Sequence, residues 1–156
     1  MYEIERKWLV NVMPGLDGLE GQKIHQGYMA VTADGDEVRI RQRGTKFYET
    51  VKSSGDLARR EVEIELTEKQ FLDLWDVAKA HSVEKIRYEL ELGGLMVELD
   101  VYEGDLAGLV VAEVEFSSLR ESESFSPPSW FGREVTNDRK YKNKSLAVYG
   151  LPGGYT

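Results

Sequence analysis

The chain has 156 residues and a net charge of −8, from 28 acidic and 20 basic residues, and it contains no cysteine. Such a length fits a single domain over residues 1–156. The absence of cysteine excludes disulfides and thiolate metal sites, and with only two histidines any metal is expected to bind oxygen ligands. Charges interrupt the apolar segment that an N-terminal signal peptide would need, and no apolar run could cross a membrane, so we expect a cytoplasmic protein with no membrane partner. The excess of acidic residues argues against nucleic-acid binding.

Most of the chain alternates apolar and polar residues with the two-residue period of β-strands. Strands are predicted at residues 4–10, 22–31, 37–42, 46–52, 60–66, 84–92, 95–102 and 109–116. Asp34-Gly35 and Gly93-Gly94 suit hairpin turns between neighbouring strands. About eight strands joined mostly by hairpins predict an α+β fold dominated by antiparallel sheet, in the form of a barrel or sandwich with helices outside.

Two segments carry helix signals. Thr67 followed by Gln70 has the form of a capping box, and apolar residues recur after it at helical spacing, which predicts a helix over residues 68–81. Ser118 followed by Glu121 predicts a shorter helix to about residue 125. The tail over residues 130–149 has no clear period, although Asp138 could cap a helical turn through Lys144.

Charged residues stand at every second position of nearly every strand. They are Glu3, Glu5 and Lys7; Arg39 and Arg41; Lys52; Glu61, Glu63 and Glu65; Lys85 and Arg87; Glu98 and Asp100; and Glu113 and Glu115. Alternate residues of a strand share one face, so each strand has one charged and one apolar face. For one strand alone the ordinary explanation is a charged face in water. Across all strands the face is almost purely charged and sorted by sign, which favours charges that line the lumen of a closed barrel.

A charged lumen is favourable only if it is wet and holds a ligand of matching charge. Arginine and lysine would bind phosphate oxygens, and the carboxylates would bind Mg²⁺ with part of its water shell. This set of residues suits metal-assisted phosphoryl transfer to water. No phosphate-binding GxxxxGK[ST] loop and no Ser/His/Asp or Cys nucleophile is indicated.

Several motifs in order resemble the CYTH superfamily, the triphosphate tunnel metalloenzymes, from Glu3 to about Leu146. The motifs are EIERKWLV, VRIRQRG, VKS, EVEIEL, KIRYEL, VELDVY, VAEVEF and WFGREVTNDRKYKNKSLA. The resemblance implies an eight-stranded closed antiparallel β-tunnel with a charged lumen and a few helices packed outside. It also implies action on a small triphosphate compound with Mg²⁺ or Mn²⁺, two ions per site.

The resemblance assigns roles to individual residues. Implied metal ligands are Glu3, Glu5, Glu61, Glu63, Asp100, Glu113 and Glu115. Implied substrate ligands are Lys7, Arg39, Arg41, Lys52, Lys85, Arg87 and Lys140. Glu5, Tyr28 and Lys85 are the implied catalytic residues, although Tyr28 could equally be an aromatic residue of the sheet wall. Asp138, Lys140, Tyr141 and Asn143 could close one tunnel mouth or anchor the C-terminus, whereas Lys142 and Lys144 are expected in solvent.

Within this family the chain resembles the short bacterial group that hydrolyses inorganic tripolyphosphate to pyrophosphate and phosphate, since no pocket for a base or for thiamine is evident. The alternatives are a class IV adenylyl cyclase, then a thiamine triphosphatase. A non-catalytic module that binds polyphosphate or nucleotides is a further alternative, although pure anion binding would not need the carboxylates. Apolar outer faces are compatible with a homodimer.

Overall fold

The protein is built around one antiparallel sheet, which confirms the predicted α+β class. The computed structural model describes residues 4–53 and 60–153, and within them the sheet has nine strands in the order β5-β4-β3-β2-β6-β7-β8-β1-β9. The strands are β1 (Ile4–Val10), β2 (Gln22–Val31), β3 (Glu37–Arg43), β4 (Lys46–Lys52), β5 (Glu61–Leu66), β6 (Ser82–Leu92), β7 (Leu95–Tyr102), β8 (Val110–Phe116) and β9 (Phe131–Glu134). The α-helices are α1 (Glu68–Ala78), α2 (Leu119–Ser124) and α3 (Asn143–Tyr149).

The sheet curves strongly, so that strands near its opposite edges face each other. Lys52 of β4 and Lys7 of β1 line the same cavity, although each strand is second from its edge of the sheet. The prediction of eight strands in a closed barrel is not confirmed: the described part of the sheet has nine strands, and its pairing ends at β5 and β9. The ninth strand was not predicted, and it pairs with β1 through Val10 and Phe131. It therefore occupies the edge that β5 would need to close the barrel.

The apolar, outer face of the sheet is covered by two helices, as predicted. Phe71 and Ala78 of α1 pack with Ile40 of β3. Gly27 of β2 permits this close approach, because a Cβ atom there would lie 2.7 Å from the Cβ of Ala78. The second outer cluster lies under α2 and its following loop, where Trp8 contacts the rings of Phe125 and Phe131.

The third helix lies on the other face of the sheet, which corrects the expectation that all helices pack outside. Leu146 of α3 belongs to a buried cluster with Leu9, Val83 and Val111. Leu9 shares its strand face with Lys7 of the charged series. The helix is therefore an apolar plug against one end of the inner, charged face.

The helix signals in the sequence are largely confirmed. The Thr67 hydroxyl accepts a hydrogen bond from the Gln70 backbone, and the Gln70 side chain accepts one from the Thr67 backbone. Asp138 accepts a bond from the backbone of Lys140 and caps a 3₁₀ turn at Arg139–Tyr141, after which α3 begins. In the described ranges no helix is long and apolar enough to cross a membrane.

Candidate active site

A cavity of about 310 Å³ lies on the inner face of the sheet beside α3. The strands contribute Glu5, Lys7, Tyr28, Glu37, Arg39, Lys52 and Glu113 to its wall. The segment after β9 contributes Thr136, Asp138, Tyr141, Lys142, Asn143 and Lys144. We call this cavity the charged pocket. It brings together predicted site residues from β1, β2, β3, β4 and β8, so these charges face one shared cavity that is partly open to solvent.

The acidic side of the charged pocket lies on β1 and β8. Lys7 is opposite Glu113 in the ladder between these strands, and the side chains of Glu5 and Glu113 share a hydrogen bond. Burial alone would raise the pKa of Glu113, but the bond to Glu5 and the charges of Lys7 and Lys85 outweigh it and hold that pKa below its usual value. Two carboxyl groups in contact must share a proton or a cation, because both cannot carry an uncompensated charge.

This carboxyl pair fits a divalent cation. In residues 4–53 and 60–153, no group of three acidic or histidine side chains is placed to hold a metal by itself. Mg²⁺, however, binds through one or two carboxylates together with waters and substrate phosphates, and Glu5 with Glu113 supply that number. Glu115 lies opposite Glu5 but is exposed and outside the wall of the charged pocket, and Glu3 lies outside the described residues.

A buried ion cluster lies on β6 and β7. Asp100 is 2% exposed, and it accepts hydrogen bonds from Nε and Nη2 of Arg87 at 2.8 and 3.0 Å. Lys85 reaches the same carboxylate at 2.8 Å, and Arg87 also pairs with Glu98 at 2.8 Å. Burial would raise the pKa of Asp100, but the two cations hold it far below its usual range. The structure thus engages Asp100 as a counter-ion, whereas the sequence predicted a metal ligand.

In the same cluster, the pKa values of the two cations are shifted in opposite directions. Burial tends to lower the pKa of Arg87, but its hydrogen bonds to Asp100 outweigh this and raise it. Complete burial lowers the pKa of Lys85, and the attraction of Asp100 offsets part of that effect. Neither Lys85 nor Arg87 lines the charged pocket, so the structure does not bring these two predicted ligands to its wall.

Two arginines of β3 have buried donors that are available to an anion. In the described part of the chain, the Nε atoms of Arg39 and Arg41 are buried without a hydrogen-bond partner. Burial lowers the pKa of Arg41, and the charge of Arg39 lowers it further. Arg39 lines the charged pocket, whereas Arg41, two residues further along β3 on the same face, does not. Unpaired buried donors are costly, so both positions favour a bound anion.

Tyr28 forms part of the same wall and is 5% exposed. Gln26 donates a hydrogen bond to its hydroxyl at 2.7 Å. Burial raises the pKa of Tyr28, and nearby Arg39 lowers it in part. The phenol therefore stays protonated at neutral pH and can donate its own hydrogen.

The glutamates of β5 are engaged by β4 and do not line the charged pocket. Glu61 lies opposite Lys52, with 3.9 Å between their charged atoms. Glu63 accepts a hydrogen bond from the Thr50 hydroxyl at 2.9 Å. The edge strand holds both carboxylates on the inner face but outside the wall formed by the other predicted ligands.

The tail brings three of its four predicted residues, Asp138, Tyr141 and Asn143, to the charged pocket. Lys140 lies outside the pocket and is exposed, whereas the half-buried Lys144 and the exposed Lys142 line it. The Lys7 ammonium donates a hydrogen bond to the carbonyl of Tyr141 at 3.2 Å, which ties the tail to β1. The sequence did not predict Lys144 in the wall, because its position depends on the 3₁₀ turn before α3.

Glu37 also lines the charged pocket, although it was not among the predicted site residues. It stands two residues before Arg39, in the alternating series that led to Arg39 and Arg41.

Comparison with known proteins shows close similarity over nearly the whole chain. Residues 1–147 match the model of the CYTH domain. A protein named inorganic triphosphatase from Nitrosomonas europaea is 47% identical over 150 residues, which are 95% of this chain and 98% of that protein. A protein of the same name from Acetivibrio thermocellus is 34% identical over 92% of each chain. A crystal structure described as that of an inorganic triphosphatase covers 98% of both chains with 43% identity and a TM-score of 0.81.

Proposed function

Because the chain belongs to the CYTH domain family, we propose that it hydrolyses inorganic tripolyphosphate to pyrophosphate and phosphate with the help of a divalent cation. The observation that carries the proposal is the 47% identity, over 95% of this chain, with a protein named inorganic triphosphatase. The charged pocket supports it with residues that suit a small polyanion: cations from three strands and from the tail, and a carboxyl pair on one side.

The cations of the charged pocket would hold the substrate. Arg39 presents a planar fork that matches two phosphate oxygens, while Lys7 and Lys52 act as point charges. Lys142 and Lys144 approach from the tail side of the same cavity. The predicted ligands Arg41, Lys85 and Arg87 do not line this wall and stay predictions. Lys140 stays a prediction that no contact with the pocket supports.

The carboxyl pair would hold the metal. Glu5 and Glu113 are the residues whose geometry supports this, and Glu115 is on β8 with Glu113. Glu3 lies outside the described residues and stays a prediction. Glu61, Glu63 and Asp100 stay predictions, as does the presence of two ions. When bound, Mg²⁺ or Mn²⁺ would neutralise charge on the phosphate oxygens during the transfer.

The reaction needs no nucleophilic side chain. Water attacks a terminal phosphorus atom, the bridging P–O bond breaks, and the bridging oxygen leaves as part of pyrophosphate. The attacking water loses one proton. Tyr28 would donate a hydrogen bond to a phosphate oxygen, since its raised pKa keeps the phenol protonated. The apolar plug around Leu146 closes one end of the site and limits the room for water.

A substrate panel tests the proposal. Phosphate release from tripolyphosphate, ATP, thiamine triphosphate and long-chain polyphosphate is measured with Mg²⁺ and with Mn²⁺. We expect kcat/KM to be highest for tripolyphosphate, and Lys52→Ala to raise KM. Lys46→Ala is the matched control, because Lys46 lies on the same face of β4 but is exposed and pairs with Glu65 at 3.2 Å. Faster conversion of ATP to cyclic AMP would favour an adenylyl cyclase instead.

The predicted homodimer is supported by one surface. Val51, Val62 and Ile64 on the outer face of β4 and β5 are 42%, 50% and 52% exposed. Burying such a patch is favourable, which makes it the natural contact with a second copy. Sedimentation equilibrium with Val62→Asp, which should yield monomer, tests this.

A further inference from the structure

Glu37 is a buried carboxylate in a pocket otherwise suited to anions. It begins β3, is 4% exposed and lines the charged pocket. A negative charge there repels the phosphates that the surrounding cations attract, and the repulsion is poorly screened in a buried site. The position therefore requires a compensating contribution from Glu37.

The surroundings of Glu37 are groups that the proposed function uses. An Oε1 atom of Glu37 lies 3.8 Å from Nη1 of Arg39. Lys52 is directly opposite Glu37 in the β3–β4 ladder, with Glu61 on the other side of Lys52 in the next ladder. Lys52 is thus placed between two carboxylates in one row across three strands. Burial is the main cause of the raised pKa of Tyr28, and the charge of Glu37 contributes to it, which places Glu37 near that phenol as well.

A role as metal ligand does not fit the surroundings of Glu37. In the part of the chain that the structure describes, no group of three acidic or histidine side chains could hold a metal. The carboxyl pair of Glu5 and Glu113 lies on β1 and β8, and neither of these strands pairs with β3. The neighbours that Glu37 does have on β3 and β4 are cations.

We propose that Glu37 is a positioning residue that holds Arg39 and Lys52 in the orientation in which they bind the substrate phosphates. This inference rests on the proposed function. Long cationic side chains adopt many rotamers, and a buried carboxylate that pairs with Arg39 and lies opposite Lys52 lowers the cost of ordering them for binding. The gain in order outweighs the repulsion between Glu37 and the bound anion.

Glu37→Gln tests this role, because it removes the charge and keeps the size. We expect KM for tripolyphosphate to rise about tenfold while kcat changes less than about threefold. The Mn²⁺ concentration for half-maximal activity should stay unchanged. Glu49→Gln on the outer face of β4 is the matched control and should change none of these values. An unchanged or lower KM would overturn the proposal, and a shifted Mn²⁺ requirement would make Glu37 a metal ligand instead.

A double-mutant cycle separates positioning from general structural damage. In the Lys52→Ala background, Glu37→Gln should raise KM by a clearly smaller factor than in the wild type, because one of its two targets is gone. An equal factor in both backgrounds would contradict action through Lys52. If Glu37→Gln does not fold, as judged by thermal unfolding, Glu37→Asp keeps the charge at a shorter reach and should show a smaller rise in KM.

Binding of tripolyphosphate in EDTA, measured by titration calorimetry, distinguishes failure of this inference from failure of the proposed function. If the wild type does not hydrolyse tripolyphosphate, the proposed function fails. Weaker calorimetric binding by Glu37→Gln would still support its role in ordering the cations, and equal binding would refute it.

Discussion

Arg87 donates two hydrogen bonds to the carboxylate of Asp100, at 2.8 and 3.0 Å, inside the sheet where Asp100 is only 2% exposed. Lys85 pairs with the same carboxylate at 2.8 Å. Breaking one partner of such a buried cluster leaves a charge without compensation, and this costs much more than the intact cluster contributes. The cluster therefore behaves as a single unit.

Asp100→Asn should lower the free energy of unfolding by about 3–5 kcal/mol, because it leaves Lys85 and Arg87 without their counter-ion. Urea unfolding measures this. The control is Asp73→Asn on α1, whose exposed pair with Lys69 at 2.7 Å should contribute less than about 1 kcal/mol. Equal losses in the two variants would show that Asp100 does not balance the cluster.

Glu5→Gln should reduce turnover of tripolyphosphate by at least about a hundredfold and raise the Mn²⁺ requirement, because it removes one carboxylate of the proposed metal pair. The fold should persist, since Glu5 is exposed at the mouth of the pocket. Activity and thermal unfolding are measured together, with Glu123→Gln on α2 as the control. Wild-type turnover in Glu5→Gln would remove the assignment of Glu5 as a ligand.

Arg41→Met should weaken substrate binding and at the same time stabilise the fold. The Arg41 guanidinium is largely buried beside Arg39, and its Nε has no hydrogen-bond partner in the described part, so an apolar side chain should raise the free energy of unfolding by about 0.5–2 kcal/mol. Arg43→Met serves as the control, because Arg43 is paired with Gln22 at 2.8 Å and should show no gain. An Arg41→Met variant that is less stable than the wild type would contradict the expected stabilisation, and a normal KM would contradict the expected loss of substrate binding.

His25 should make the protein less stable in mildly acidic solution. Its burial against Trp75 lowers its pKa, and the attraction of Glu84 offsets only part of this effect. The unfolded chain therefore takes up a proton at about pH 6.5, before the folded protein does, and stability is lost as pH falls below that value.

The measurement is the urea midpoint between pH 7.5 and 5 for the wild type, for His25→Gln and for the exposed control His81→Gln. We expect a flatter pH dependence in His25→Gln alone. The same slope in all three proteins would show that His25 does not contribute.

The sequence predicted the strands well because each has a two-residue period that identifies its buried face. The same period placed Lys7, Arg39 and Lys52 on one face, and the structure brings all three to one pocket. The charge pairs also indicated which face is enclosed, because a solvated face would not be sorted by sign.

The missed features depend on tertiary contacts that the period does not encode. The short strand β9 is defined by its pairing with Trp8 and Val10 of β1, a contact that a two-residue period does not reveal. The place of Lys144 in the pocket wall depends on the 3₁₀ turn capped by Asp138 and on the packing of Leu146. The partners of Asp100 depend on the register of β6 and β7, which sets Arg87 opposite it.

The most direct test of the central claim is ³¹P NMR of tripolyphosphate incubated with the protein and Mg²⁺ or Mn²⁺. We expect the tripolyphosphate signals to be replaced by pyrophosphate and orthophosphate in equal molar amounts, and EDTA to stop the change. Unchanged tripolyphosphate signals with either metal, from a folded protein, would contradict it.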